Sequence, residues 1–142
     1  MHVTYYPPSF IGAFIVEGAP VAMGRPRFMK TGRAYTPTKT REAVNNISSH
    51  AQNIIRDRGI DTPIHLDVVF LHPRPKRLKK GPRVLKTTRP DLDNLIKTVK
   101  DGITEAGIWK DDSFVVKITA LDFYSSSEES PKTMITIRGF NA

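Results

Sequence analysis

The chain has 142 residues, of which 39% are hydrophobic, and a formal net charge of +8 at pH 7. This length and composition allow a single hydrophobic core, so we expect one domain over residues 1–142. The chain contains no cysteine, which excludes disulfides and thiolate metal sites and is consistent with a reducing cytoplasm.

The N-terminal sequence predicts neither a leader peptide nor a membrane span. Residues Met1–Pro8 lack the basic region and the long apolar run of a secretory signal. The longest nearly apolar run, Phe10–Val16, is too short to cross a bilayer. We therefore expect a cytoplasmic protein without a membrane partner.

The first half of the chain predicts a strand, a hairpin, a helix and a second strand. Aromatic and β-branched residues over Phe10–Val16 indicate a buried strand, and Arg27–Tyr35 resembles a hairpin that turns at Thr31 and Gly32. Apolar residues then recur every three or four positions from about Thr38 to Arg58, after hydroxyl residues and a proline, which indicates a capped amphipathic helix. Alternation over Pro63–Leu71 indicates a strand.

The second half begins with a long basic loop that includes His72 and has no periodic pattern. An apolar stripe over Leu92–Ala106 predicts the second helix, for which Asp91 is the expected cap. Two further strands are expected over Phe114–Phe123 and Thr133–Arg138. This order predicts an α+β domain, in which a mixed β-sheet has two main helices packed mainly on one face.

Basic residues are concentrated in two stretches that contain no acid. Eight lie between His72 and Pro90, and six lie between Gly18 and Arg41. Such charge attracts a polyanion, although an isolated basic run is often only a solvated surface. Because the first of these runs leads directly into an acidic motif, we favour nucleic acid. The candidate DNA-binding residues are Arg25, Arg27, Lys76, Lys79, Lys80 and Arg89.

The acidic motif supplies candidate ligands for a metal ion. Asp91 and Asp93 follow a proline, Lys97 lies four residues after the second aspartate, and Asp111 and Asp112 follow the predicted helix. Carboxylate oxygens suit Mg²⁺ or Mn²⁺. Three carboxylates and a lysine around such an ion would suit phosphodiester hydrolysis.

A purely structural interpretation of the same helix also exists. Asp91 could be only a cap, while Asp93, Lys97 and Asp101 could form an exposed ladder of ion pairs. The adjacent acids Asp111 and Asp112 fit that interpretation less well, because they repel each other unless a cation is bound. If they lie in a strand, only one of them faces a site.

The motifs resemble those of the RusA family of Holliday-junction resolvases. The resemblance is carried by Arg89–Lys97 (RPDLDNLIK) and Trp109–Val115 (WKDDSFV), with support from Gly24–Phe28, Gly32–Pro37 and Thr40-Arg41. It extends from about residue 14 to residue 116. The combination of the Asp-x-Asp-Asn-Leu-x-Lys motif with the later Asp-Asp pair is its specific part.

This resemblance implies an endonuclease that cuts four-way DNA junctions in recombination and repair. It implies that Asp91, Asp93 and Asp112 bind Mg²⁺ or Mn²⁺, and that Lys97 is the catalytic lysine. Arg89 stands where the family usually has lysine. Family members are small homodimers, often encoded by phages or prophages. Two alternatives stay open: a non-catalytic nucleic-acid-binding module, and a related nuclease that acts on flaps or forks.

Overall fold

A computed structural model describes residues 7–141 of the chain, so the expectation about a leader peptide concerns residues that lie largely outside it. The domain has the predicted α+β architecture, with two helices and a five-stranded mixed sheet. The elements are β1 (Pro8–Glu17), β2 (Arg27–Phe28), β3 (Ala34–Tyr35), α1 (Thr38–Ile54), β4 (Ile64–His72), β5 (Val84–Leu85), α2 (Leu92–Glu105), a short 3₁₀ helix (Asp112–Phe114), β6 (Val115–Tyr124) and β7 (Lys132–Phe140).

The five-stranded sheet has the order β1-β7-β4-β6-β5, and β2 and β3 form a separate two-stranded hairpin. Strand β4 lies at its centre, antiparallel to β7 and parallel to β6. A parallel pair requires a long crossover connection, which here contains the basic loop and α2. The central pairing therefore fixes where the acidic motif lies.

Both helices cover the same face of the sheet and form the core with it. Alternate β4 residues such as Leu66 and Val68 are buried beneath Leu95 and Ile103 of α2. The helices approach closely at Gly102, where a Cβ atom would lie 2.5 Å from Ile47 Cγ2. Glycine at this position therefore lets α1 and α2 pack against each other.

Two predicted elements differ from the structure in detail. Strand β1 forms as predicted, but it lies at the edge of the sheet and only alternate residues such as Phe14 and Val16 are buried, so the predicted burial holds for one face alone. Helix α1 ends at Ile54 rather than near Arg58, because Ile55 adopts extended geometry. The Arg58 guanidinium donates to the carbonyl oxygens of Gln52 and Ile55, at 2.9 and 2.6 Å, and so satisfies acceptors at the helix end.

The helix caps also differ from prediction. The cap of α1 is Pro37, and no side chain forms a capping hydrogen bond there. Asp91 occupies the predicted cap position of α2, but its carboxylate makes no capping hydrogen bond either. Gly107, with φ of +74°, follows α2 as expected.

The sheet face opposite the helices has no covering layer within residues 7–141. On this face Ile15 pairs with Met134, Met134 with Val69, and Val69 with Leu121, which makes an apolar row across four strands. Ile15 and Leu121 are 48% and 47% exposed. None of the helices in the described chain has the length and apolarity needed to cross a membrane.

Candidate active site

The four predicted catalytic residues all lie on the crossover between β4 and β6. Asp91 is the residue before α2, and its carbonyl oxygen accepts hydrogen bonds from the first helical turn. Asp93 and Lys97 are on the exposed side of α2, opposite the buried stripe that includes Leu95. Asp112 begins the 3₁₀ helix that leads into β6. Amphipathic packing of α2 thus directs the acidic motif towards solvent.

Asp112 lies against the middle of α2. Its Oδ2 atom is 3.5 Å from Lys100 Nζ. The pKa of Asp101 is raised, chiefly by burial and then by the negative charges of Asp112 and Glu105. Asp112 is therefore close enough to Asp101 for its negative charge to raise the pKa of that carboxyl group, and the Lys100 ammonium provides a compensating positive charge.

The neighbouring acids Asp111 and Asp112 have different environments, but not through the strand alternation that the sequence suggested. They lie at the start of a 3₁₀ turn, so strand alternation does not apply. Asp111 is fully exposed and accepts a hydrogen bond from Ser113 Oγ at 3.1 Å, which lowers the pKa of the Asp111 carboxyl group. Asp112 is half-exposed and turned towards Lys100.

The predicted metal ligands do not form a complete coordination site in the structure. Within residues 7–141, no group of three or more carboxylate or imidazole side chains is positioned to hold a metal ion. The donor chemistry still fits a divalent ion, since Asp91 and Asp93 are exposed and form no salt bridge in this part of the chain. The ion-pair ladder is not formed as salt bridges, because Lys97 pairs with neither Asp93 nor Asp101 among the described residues. The Lys97 charge still opposes the rise in the pKa of Asp101 that burial causes.

A network around Lys86 holds the segment that precedes Asp91. The Lys86 ammonium donates to the carbonyl oxygens of Thr88 and Arg89, at 2.7 and 3.0 Å. The backbone N–H of Lys86 donates to the carbonyl oxygen of Asp122 on β6, at 2.9 Å. The Thr88 hydroxyl contacts the Tyr124 hydroxyl at 2.8 Å. Lys86 was predicted only as one of eight loop charges, and no sequence signal distinguished it from the others.

His72 belongs to β4 rather than to the basic loop, contrary to the sequence-based interpretation. Its Nε2 atom lies 2.6 Å from Asp122 Oδ1, and the side chains are 7% and 10% exposed. Burial lowers the pKa of His72, although the Asp122 carboxylate opposes this effect. The pair joins the ends of the two central parallel strands, next to the Lys86 network.

The basic loop divides into internal and outward-facing charges. The Arg74 guanidinium donates to the carbonyl oxygens of Pro82 and Ser125, at 2.7 and 3.2 Å, and so folds the loop onto the turn after β6. Arg83 makes a bidentate pair with Glu129, with both distances 2.8 Å, which lowers the pKa of Glu129 to about 2. The loop residues that are exposed and form no salt bridge in the described chain include Lys76, Lys79, Lys80 and Arg89.

The second acid-free stretch lies beside the same segment. Arg25, Arg27 and Lys39 line a cleft of about 510 Å³ together with Pro90, the residue before Asp91. The stretch is attached to α2, because the N–H of Met23 donates to the carbonyl oxygen of Asn94 at 2.9 Å. Two basic segments distant in sequence therefore lie near the acidic motif.

Comparisons with known proteins identify the family of the chain. The family model described as Endodeoxyribonuclease RusA matches residues 17–138. A Bacillus subtilis (strain 168) protein, named Uncharacterized protein YqaN, is 35% identical over 141 residues, covering 91% of this chain and 96% of the relative. The family match spans both basic segments and the acidic motif, but it includes only the last residue of β1 and ends two residues before the end of β7. The chain belongs to the RusA endodeoxyribonuclease family.

Proposed function

We propose that this protein is a divalent-metal-dependent endonuclease that resolves four-way DNA junctions by paired, symmetric nicks. One observation carries the proposal: the turn containing Asp112 lies against α2, with Lys100 Nζ 3.5 Å from its carboxylate, on the crossover that also bears Asp91 and Asp93. Asp112 is thus close to Asp101 of α2, and Asp91 and Asp93 lie at the exposed start of the same helix. Arg25 and Arg27 line a cleft that reaches Pro90, the residue before Asp91.

We assign Asp91, Asp93 and Asp112 as the ligands of Mg²⁺, with Mn²⁺ as a substitute. Their oxygens are the donors that hard divalent cations prefer. When bound, such an ion lowers the pKa of a water molecule and offsets charge on the phosphate. The exposure of Asp91 and Asp93 supports this role, because neither carboxylate is used as a helix cap or in a salt bridge in the described chain.

Lys97 and the outward-facing basic residues would act on the phosphates. Lys97 is exposed on the same side of α2 as Asp93, where its ammonium would stabilise the negative charge that develops on the scissile phosphate. Arg25, Arg27 and Arg89 would hold neighbouring phosphates beside the cleft, and Lys76, Lys79 and Lys80 would hold phosphates along the basic loop. Such contacts position DNA without reading its sequence.

A homodimer would supply the two nicks that junction resolution requires. A twofold dimer presents two identical sites to a substrate of matching symmetry. The uncovered sheet face supports this assembly, because both ends of its apolar row, Ile15 and Leu121, are about half exposed in one chain. A second copy placed there would cover the row and leave both acidic motifs on the outside.

The direct test compares cleavage of a labelled four-way junction, a fork, a flap and a linear duplex in Mg²⁺ and in EDTA. We expect the wild type to cut the junction only when Mg²⁺ is present. Asp91→Asn, Asp93→Asn and Asp112→Asn should each abolish cleavage, because each removes an anionic ligand but keeps the side-chain shape. Binding to the junction should persist, since each change removes negative charge near DNA.

Asp111→Asn is the matched control, because Asp111 adjoins Asp112 but is fully exposed and bonded to Ser113. It should cut at close to the normal rate. Normal cleavage by any one of the other three variants would exclude that residue as a ligand. Wild-type cleavage confined to flaps or forks would identify a different nuclease, and binding without cleavage of any substrate would identify a non-catalytic module.

A further inference from the structure

The hairpin formed by β2 and β3 exposes apolar side chains on both of its faces. Arg27 pairs with Tyr35 on one face, and Phe28 pairs with Ala34 on the other. Phe28 and Tyr35 are 71% and 43% exposed, and Met29 at the tip is 53% exposed. Phe28 is the most exposed large hydrophobic residue in the described chain. The hairpin therefore buries little of its own apolar surface.

The hairpin nevertheless has a defined turn, and the segment before it is bonded to α1. The N–H of Met29 donates to the carbonyl oxygen of Arg33 at 2.8 Å, and Gly32 completes the turn with φ of +84°. Before the hairpin, the N–H of Gly24 donates to Thr40 Oγ1 on α1 at 3.1 Å. Phe28 is thus presented to solvent by a defined backbone.

The charge of the hairpin points to its partner. Residues 18–41 contain no acid, and four cations lie within or just before the hairpin in sequence: Arg25, Arg27, Lys30 and Arg33. A second copy of the hairpin would bring these like charges together, which opposes self-association. DNA offers the opposite charge. Aromatic side chains beside a positive groove are typical of proteins that bind unpaired bases, because every base has a face for stacking.

The two faces of the hairpin suit two parts of the substrate. Arg27 lines the cleft shared with Pro90, so its side of the hairpin adjoins the acidic motif. Phe28 points to the other side, because successive residues of a strand alternate. We propose that Phe28 stacks on a base that loses its neighbour at the branch point of the junction, while the surrounding cations contact phosphates. This inference rests on the proposed function.

The test measures affinity for a four-way junction and for a linear duplex of equal length, with Ca²⁺ in place of Mg²⁺ to prevent cutting. Phe28→Ala should weaken junction binding by roughly fivefold to a hundredfold, the range expected for one lost base stack, and leave duplex binding unchanged. Phe28→Trp should retain the preference for the junction, whereas Phe28→Leu should lose it, because leucine is apolar but has no aromatic face.

Lys30→Ala is the matched control on the same hairpin. It should weaken junction and duplex binding equally, because phosphates are common to both. Thermal melting should be unchanged for the Phe28 variants, since the side chain is 71% exposed. Equal losses on both substrates, no loss for Phe28→Ala, or full retention by Phe28→Leu would each overturn the stacking proposal.

The binding test does not depend on cleavage, so it separates this inference from the proposed nuclease function. A wild type that prefers the junction through Phe28 but cuts no substrate would contradict the function and support the inference. A wild type that cuts junctions normally, with no effect of Phe28→Ala on binding, would support the function and contradict the inference. A wild type without any preference for the junction would overturn both.

Discussion

Lys97 lies on the exposed side of α2, four residues after Asp93, and forms no salt bridge in the described part of the chain. If it contacts the phosphate in the transition state, Lys97→Met should reduce the single-turnover cleavage rate by on the order of a hundredfold or more. Affinity for the junction should change little, because the contact strengthens only as charge develops. If Lys97 is only a surface residue, its replacement should cost about 0.5 kcal/mol or less in stability and leave the cleavage rate unchanged.

Lys97→Arg is the conservative control, since it keeps the positive charge. It should cut faster than Lys97→Met, although the broader guanidinium does not reproduce the ammonium contact. Single-turnover cleavage of a bound junction and a thermal melt measure both quantities. A stable Lys97→Met variant that cuts at the normal rate would exclude Lys97 from the chemistry.

Individual residues differ in how well the sequence predicts their positions. The exposed side of α2 followed from its apolar stripe, so Asp93 and Lys97 were predicted to share a face, and they do. The contact between Lys100 and Asp112 could not be predicted, because it depends on how the turn before β6 packs against α2. The bonds from Lys86 to the carbonyl oxygens of Thr88 and Arg89 depend on the loop path, which has no periodic pattern.

At the scale of elements, the basic loop combines a fixed framework with a charged outer surface. Arg74 and Arg83 are bonded within the protein, whereas Lys76, Lys79 and Lys80 are exposed without salt bridges in the described chain. Replacing these three lysines with glutamine should weaken junction binding. It should also flatten the slope of log K against log salt concentration by roughly 0.9 per lost phosphate contact.

Arg56→Gln is a suitable control for that measurement, because Arg56 is exposed just beyond α1 and forms no salt bridge among the described residues. It removes a charge outside the loop and should leave the slope nearly unchanged. If the slope of the triple variant matches that of the wild type, the loop lysines form only a solvated surface and do not contact phosphates. Equal slope changes in both proteins would indicate a general effect of net charge.

Element types were predicted better than their ends and their burial. Hydrophobic periodicity identified both helices and the four long strands. It did not show that β1 is an edge strand, because the order β1-β7-β4-β6-β5 is set by pairing between distant segments. It also missed β5, whose two residues, Val84 and Leu85, pair with β6 inside the basic loop.

The whole molecule presents one covered and one uncovered sheet face. If the apolar row on the uncovered face joins two chains, the wild type should sediment at about twice the 16.0 kDa chain mass. Leu121→Glu should convert it to a monomer, because Leu121 is 47% exposed in one chain but would be buried in the dimer. Ile54→Glu is the matched control, since Ile54 is 50% exposed on α1. A monomeric wild type, or a Leu121→Glu variant that stays dimeric, would contradict this interface.

The α+β class followed from the order of elements, and the structure confirms it. The parallel pairing of β4 with β6 was not predicted, since strand order depends on contacts between residues far apart in the sequence. The two basic segments lie near the acidic motif for the same reason, because contacts between residues far apart in the sequence bring them there. Packing at Gly102 and the bond from Met23 to Asn94 bring the N-terminal half to α2.

The crossover between β4 and β6 also affects when a catalytic region can form during folding. Residues 73–114 form a single closed loop between two strands that must pair in parallel. Closing a loop of this length costs chain entropy before the pairing is gained, so such contacts form slowly. A chain folded only as far as α2 would hold Asp91 and Asp93 but lack Asp112 and the β6 partners of Lys86. If these residues act together as proposed, cleavage competence should appear only as the central sheet closes.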